Sequence, residues 1–416
     1  MTIFITDGDQ RPALAIVRSL GRRGHRVLVG ADSDTSLASA SRYCAGSVTY
    51  PSPYHDRSGF ERFLETFLRR ERVDVLMPVT DVTMHSVCAL QDRLRTHCAL
   101  AVPPFDAFEL VTDKEQLLRH AARCGVPAPR TTFVRGPADL ARLDITFPAV
   151  VKPVRSRVRS GRGWLAGGVH YVQSAAELAR LYDDHEYLAS HHSLIQERIV
   201  GPGVGLFMLF DRGRVVAEFA HRRLREKPPA GGASVLCEST AIDPTLRAHA
   251  IALLAPLGWH GVAMIEFKQD RRTGRFVLME VNGRFWGSLQ LAVDAGVDFP
   301  SIACGLATGE AVTPPPAHRV GVQYRWTLGD LDHLLLRLLR SDEALDLPEA
   351  APSRWQTLAS FFRLVGPGLR YDVRLSDPRP FFAELRQYVG ALGGAARRRS
   401  SRGAGAPRVL RTQDAR

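Results

Sequence analysis

Residues 261–282 read GVAMIEFKQDRRTGRFVLMEVN, and the second strand runs on into MEVNGRFWGS at 279–288. Two apolar runs flank a charged turn near Thr273-Gly274, the pattern of a β-hairpin. With the turn centred on Thr273, Glu266 faces Glu280 across the strands, and Asn282 lies on the same face two residues further on. Two carboxylates placed opposite each other repel unless a cation lies between them, and burying either one alone is costly. Two carboxylates and an amide oxygen make a hard, all-oxygen set suited to Mg²⁺, which also takes phosphate oxygens and waters. A second reading stays open at this point: edge-strand charges facing water, paired with Arg284 or Lys268.

The basic residues narrow the choice. Only four of the 55 are lysine, at 114, 152, 227 and 268. A chain that uses arginine almost everywhere keeps lysine where a compact ammonium serves better than a planar guanidinium. Lys152 ends the apolar run of ITFPAVVKP, where a strand delivers its last side chain into a cleft. Lys114 opens the helical stretch TDKEQLLRHAARCGVP, in which Thr112 and Glu115 have capping-box spacing and Gly125 and Pro127 mark the stop. A cation in a first helical turn opposes the helix dipole and points to an anion nearby. Lys268 is expected to have no such role, its replacement being silent. Between them, residues 155–168 read as a loop with Arg155, Arg157, Arg159 and Arg162 among Gly161, Gly163, Gly167 and Gly168; glycines permit close backbone approach to phosphate.

Before this, the first hundred residues alternate strand and helix: TIFIT, ALAIVRSLGRRG, HRVLVGA, a helix around Phe60–Arg70, and VDVLMPV. That order implies parallel βαβ units. The first turn carries a lone Gly8 and no GxGxxG, which argues against a dinucleotide site. After residue 311 a PPP run marks a boundary, followed by helical, Leu/Arg-rich sequence.

Composition sets outer limits. The chain has 416 residues, 45% of them hydrophobic and 24% charged, a globular balance that excludes a wholly disordered or coiled-coil chain. No apolar run reaches the roughly 20 residues of a membrane span. Asp7 and Asp9 stand where a signal peptide needs its apolar stretch, and the six cysteines form no CxxC pair, so a reducing cytoplasm is the expected compartment. The net charge is +12, but seven arginines crowd into residues 394–416 against a single acid. That Gly/Ala/Ser-rich stretch reads as a solvated tail, and nucleic acid is not the expected partner.

Taken in order, a lysine opening a helix, FPAVVKP before a glycine-rich stretch, LIQERIVGPG, IEF and MEVNGRFWGS resemble the ATP-grasp ligases. The carbamoyl-phosphate-synthase and biotin-carboxylase branch, with its preceding βαβ domain, is the closest in look. The resemblance covers about residues 1–310, and its most specific element is MEVNGRFWGS, close to E-[IV]-N-x-R-[FL]-W-G. It implies a fold of mixed α/β and α+β class: a Rossmann-like parallel domain over 1–111, then a two-lobed ATP-grasp domain over 112–310 with 155–168 as the phosphate lid. A mostly helical extension over 311–393 and a disordered basic tail over 394–416 would follow.

The resemblance also implies roles. Lys114 and Lys152 match lysines that hold ATP phosphates, with Gly161 and Gly163 in the lid. Glu197 matches the hinge acid for the ribose, with Gln196 and the main chain of Ile199 reading adenine. Glu266 and Glu280 match carboxylates carrying one or two Mg²⁺, or Mn²⁺ in its place, with Asn282 as third ligand. Arg284 matches the arginine beside the transferred phosphate. His221, Arg222, Arg225 and Lys227 lie where such enzymes often hold the acceptor. The acid often found shortly after the hinge glutamate is missing, Val204 standing there. The expected activity joins a carboxylate to an amine through an acyl-phosphate; a phosphotransferase and a non-catalytic ATP-binding module are the alternatives. Expected partners are the small-molecule carboxylate and amine, and a homodimer is one expected assembly.

Overall fold

The computed structural model describes residues 1–155, 157–160, 163–345, 347, 351–366 and 368–400, with backbone alone at 141, 157–160, 163, 165, 166 and 392–400. Strands β1 (Thr2–Ile5), β2 (Arg26–Ala31), β3 (Gly46–Thr49) and β4 (Val75–Met77) form a parallel sheet in the order β3-β2-β1-β4. Phe4, Ile5, Val27, Val29 and Leu76 are buried, as expected for short apolar strands covered on both faces. The connecting helices are α1 (Arg11–Arg22), α2 (Arg57–Glu71), α3 (Asp81–Ala89), α4 (Gln91–Leu94) and α5 (Phe105–Thr112).

Helix α6 (Lys114–Arg123) differs from expectation at its cap. Asp113, not Thr112, is the N-cap, its carboxylate accepting from the Gln116 N–H at 3.1 Å. Thr112 completes α5 instead, donating its hydroxyl to the Phe108 carbonyl at 2.9 Å. The two helices abut, so the residue that closes one cannot cap the next. Lys114 is thereby the first residue of α6.

A second, antiparallel sheet has the order β5-β10-β6-β9, built from β5 (Thr131–Val134), β6 (Ala149–Pro153), β9 (His170–Val172) and β10 (Ser193–Glu197). With α7 (Ala175–Asp184) and α8 (Glu186–Ser190) it encloses its own small core of Val134, Val151, Leu178, Leu188 and Ile195. Between β6 and β9, strands β7 (Arg157–Ser160) and β8 (Gly163–Ala166) pair only with each other. The stretch read as a loop is therefore a hairpin; the β-forming Val158, Trp164 and Leu165 outweigh its glycines. The Trp164 N–H donates to the Tyr54 carbonyl at 3.0 Å, tying this hairpin to the first βαβ segment.

The third sheet is the largest, in the order β15-β14-β11-β12-β13-β16-β17. Its strands are β11 (Gly203–Asp211), β12 (Arg214–Lys227), β13 (Ala233–Ser239), β14 (Gly261–Gln269), β15 (Phe276–Asn282), β16 (Gln323–Arg325) and β17 (Leu369–Tyr371). Arg212 and Gly213, both at positive φ, make the tight turn between β11 and β12. Helices α9 (Pro244–Leu254), α10 (Leu289–Ala295) and α11 (Phe299–Thr308) flank this sheet. One apolar cluster, including Phe4, Phe60, Phe108, Trp259, Phe267 and Leu278, is shared by the first and third sheets.

Past residue 311, α12 (Thr327–Leu339), α13 (Arg354–Phe361) and α14 (Arg379–Ser400) give the expected helices. The segment also contributes β16 and β17 to the large sheet, which its short apolar runs did not announce. Residues 394–400, expected as tail, continue α14; residues 401–416 lie outside the described residues. No single helix among the described residues is long and apolar enough to cross a membrane.

Candidate functional site

Strands β14 and β15 place Glu266 directly opposite Glu280, with a β-bulge just after, between Glu266 and Phe267. The turn-centred reading thus gives the register found. Beyond Glu280 the chain alternates between cleft and core. Asn282 donates from Nδ2 to Glu280 Oε1 at 3.0 Å. Arg284 donates from Nη2 to Asn282 Oδ1 at 3.3 Å and from Nε to Asp81 Oδ2 at 2.9 Å. Trp286 is buried against Phe207 and Phe299. Gly283 has no room for a side chain, since a Cβ would come within 2.9 Å of the Trp259 ring. Glu280, Asn282 and Arg284 thus form a polar chain, Trp286 enters the core, and Gly283 allows a close approach.

The two carboxylates are held differently. Burial pushes Glu266 up, against the pull of Arg223, which forms a short ion pair with it and also reaches Glu226 at 2.9 Å. Burial also acts on Glu280, but Lys114, the Asn282 hydrogen bond, Lys152 and Arg284 together bring it below its ordinary value. Glu280 is thus the more firmly ionised of the pair. The two lysines respond in turn. Burial lowers Lys114 despite Glu280, Asp81 and Asp113 nearby. Burial, with the Lys114 charge adding to it, lowers Lys152 to about 8. The set is a compact alternation of charge, Lys114 and Lys152 with Glu280 and Glu266, in surroundings that exclude much of the water.

At the opposite end of β10, Gln196 is buried and donates to Thr131 Oγ1 at 2.8 Å. Glu197 accepts from the Arg130 N–H at 3.0 Å and lies 3.3 Å from the Arg130 guanidinium. The carbonyl of Ile199 accepts from Lys268 Nζ at 3.3 Å. Lys268, expected to be silent, is half-buried with its pKa lowered by burial; strand alternation turns it toward this chain crossing rather than toward water. Gly201 makes the crossing feasible, as a Cβ there would lie 1.8 Å from the Gln269 carbonyl oxygen.

The remaining predicted positions fall elsewhere. His221 is buried on β12, accepts or donates at 2.7 Å with Ser288 Oγ, and is held near pKa 3 by burial, so its ring is neutral. Arg222 is exposed and paired with Glu238 at 2.6 Å. Arg225 pairs with the fully buried Asp330 at 2.9 Å, and Lys227 pairs with Asp332, both acids on α12. These four therefore meet β13, Ser288 or the C-terminal segment rather than the paired glutamates. Gly163 lies at the start of β8; Gly161, Arg162 and the side chains of Arg157 and Arg159 lie outside the described residues.

A cleft opens beside Lys114, Glu280 and Asn282. Its other walls come from α3 and α5 (Asp81, Val82, His85, Phe108, Val111) and from Arg155 and Trp164. His85 Nε2 lies 3.3 Å from Glu109, and Arg155 reaches both Glu109 at 3.2 Å and Asp113 at 3.3 Å. The hydrogen bond from His85, together with the Arg155 charge, overcomes burial and holds Glu109 at about 2. Sequence reasoning passed over Asp81, His85, Glu109, Trp164 and Arg223. Only Asp81 had a signal that could have found it, an acid in the first turn of a helix at the carboxyl end of a parallel strand.

Comparison with known proteins bears on the fold. Residues 190–329 match a family model described as ATP-grasp in the biosynthetic pathway with Ter operon. No curated protein matches the sequence. Among solved structures, the L-amino acid ligase from Bacillus licheniformis is similar at 18% identity and a TM-score of 0.58, over 76% of this chain and 74% of that one. The biotin carboxylase from Campylobacter jejuni is similar at 18% identity and 0.59, over 77% and 74%. The N5-carboxyaminoimidazole synthetase from Staphylococcus aureus is similar at 14% identity and 0.59, over 75% and 78%. The chain carries an ATP-grasp fold, in which the matched segment spans β10 to α12 and includes the paired-glutamate hairpin.

Proposed function

We propose that the protein is an ATP-dependent carboxylate–amine ligase that activates a carboxylate as an acyl-phosphate. The observation that carries this reading is the gathering of Lys114, Lys152, Glu266, Asn282 and Arg284 around Glu280 in an ATP-grasp fold. Several solved neighbours of this fold are complexes with ADP or MgADP. Residues 1–111, 112–310 and 311–393 are read as the pre-ATP-grasp domain, the ATP-grasp domain and an extension.

The donor set suits a hard dication: two carboxylates in register, with beside them the Asn282 amide, which turns its Nδ2 to Glu280 and its Oδ1 to Arg284 and would have to rotate to offer oxygen to a metal. Among the described residues no group of three or more His, Cys, Asp or Glu could hold a metal ion, so phosphate oxygens and water would complete the shell. When bound, Mg²⁺ would neutralise charge on the phosphates being separated. Lys114 and Lys152 would hold phosphate oxygens, and Gln196, Glu197 and Ile199 would hold the nucleoside at the other end of β10. Arg284, kept in place by Asp81, would neutralise the acyl-phosphate formed when the carboxylate oxygen attacks the γ-phosphorus and ADP leaves. The amine then attacks the acyl carbon and phosphate departs. The β7–β8 hairpin would keep water from the intermediate. Catalysis of this kind rests on positioning and electrostatics, so no nucleophilic side chain is required. Release of ADP and phosphate that requires both a carboxylate and an amine tests the proposal; a phosphorylated acceptor would mark a phosphotransferase instead.

A further inference from the structure

The cleft beside Glu280 has a lining that the chemistry of phosphate transfer does not explain. Lys114, Glu280 and Asn282 form one end, while Lys152, Gln196, Glu197 and Ile199 are not among its walls. The residues proposed to hold the nucleoside therefore take no part in its walls. Its body is apolar: Val82 on α3, Phe108 and Val111 on α5, Val281 on β15, and Trp164 on the hairpin. Val82, Phe108, Val111 and Val281 are almost wholly removed from solvent. The acids that border it already face cations, Asp81 with Arg284 and Glu109 with His85 and Arg155.

His85 sharpens the picture. It packs edge-on to Phe105 and Trp164, with ring centroids 5.5 and 5.4 Å away. It is 8% exposed, and its Nδ1 is buried without a hydrogen-bond partner among the described residues. A buried polar atom in a cleft wall is a costly arrangement unless something supplies a partner. An apolar pocket with a few convergent polar groups is the usual form of a small-molecule site.

Resting on the ligase reading above, we propose that this cleft selects the carboxylate substrate, taking acids whose carboxylate is carried on a bulky apolar or aromatic body. The carboxylate would lie toward Lys114, Glu280 and Asn282, and the body among Val82, Phe108, Val111 and Trp164. Small acids would bury less apolar surface there. An acidic side chain would meet Asp81, already paired with Arg284, and would have to compete with Glu109 for Arg155.

The test uses the full chain with ATP, Mg²⁺ and hydroxylamine, which traps an acyl-phosphate as a hydroxamate whatever the natural amine. Glycine, L-alanine, L-aspartate, L-leucine, L-phenylalanine and 3-phenylpropanoate are compared, and binding of each acid is followed separately by calorimetry. Val111→Phe fills the cleft and Trp164→Ala opens its less buried wall; thermal unfolding shows that each folds. The expected result is a kcat/KM at least tenfold higher for leucine or the phenyl acids than for glycine or aspartate, with the phenylalanine-to-alanine ratio falling tenfold or more in Val111→Phe. Should Val111→Phe fail to fold, Trp164→Ala must lower the same ratio. Preference for glycine or aspartate, or ratios that neither variant moves, overturns the inference while the ligase reading stands. Binding of the phenyl acids that these variants weaken, without hydroxamate from any acid, overturns the ligase reading while the cleft assignment holds. Neither binding nor turnover overturns both.

Discussion

Glu280 stands at the centre of the charge arrangement, held ionised by Lys114, Asn282, Lys152 and Arg284 against the effect of burial. Glu280→Gln removes the charge with little change of shape. It is expected to lower turnover at least a hundredfold while the thermal midpoint stays within a few degrees of the parent; activity close to the parent's would remove the metal assignment. Lys152 supplies a pH signature. Its ammonium titrates at about 8, so its positive charge is complete well below that pH and lost as pH rises through it. ATP affinity in the free protein is expected to weaken between pH 7 and 9.5, and Lys152→Met to bind weakly with a flatter profile, both read by calorimetry. These residues were legible because each sits in a run whose other members are core-formers: Glu280 and Asn282 interrupt an apolar strand, and Lys152 ends one. Asp81, His85 and Arg223 were not, because their partners are Arg284, Glu109 and Glu266, 203, 24 and 43 positions away. Nothing in local sequence encodes such pairings.

At the scale of elements, the β14–β15 hairpin was read well because its turn chemistry was explicit. Gly274, at positive φ, sits at the turn it requires. The β7–β8 hairpin was hidden because its glycines and arginines resemble a connector more than a strand pair. The attachment of α12 was hidden for another reason: it depends on a charge cluster spread over 106 residues. Asp330 is fully buried between Arg225 at 2.9 Å and Arg325 at 2.6 Å. Removing the acid leaves two guanidinium groups facing each other in a site that excludes water. Asp330→Ala is expected to cost about 3–5 kcal/mol in chemical denaturation. A loss below about 1 kcal/mol would mean that water reaches this cluster and that α12 is held by its other contacts, among them the Lys227–Asp332 ion pair.

Three sheets make up most of the described molecule. The first and third share a core through Phe4, Phe108, Trp259 and Leu278, so the wall formed by α3 and α5 is fixed relative to Glu280. The second sheet has a separate core and carries Lys152, so one of the lysines proposed to bind phosphate stands on a smaller body. Helix α14 is anchored by Glu384 to Arg11 and Trp326 and by Tyr388 to Asp332. A chain ending at Ser400 is therefore expected to retain the parent's kcat and KM in a coupled ADP assay, since the residues beyond are rich in Gly, Ala and Arg, with Val409 and Leu410 their only large aliphatic side chains. A tenfold fall in kcat would give them a part in catalysis. The most direct test of the account is simultaneous measurement of ADP, phosphate and any phosphorylated product as a carboxylate and an amine are added singly and together. The account predicts ADP and phosphate in equal amounts only when both are present, with product containing the new C–N bond. ADP formed with a stable phosphorylated acceptor, or no ADP under any pairing despite tight ATP binding, would contradict it.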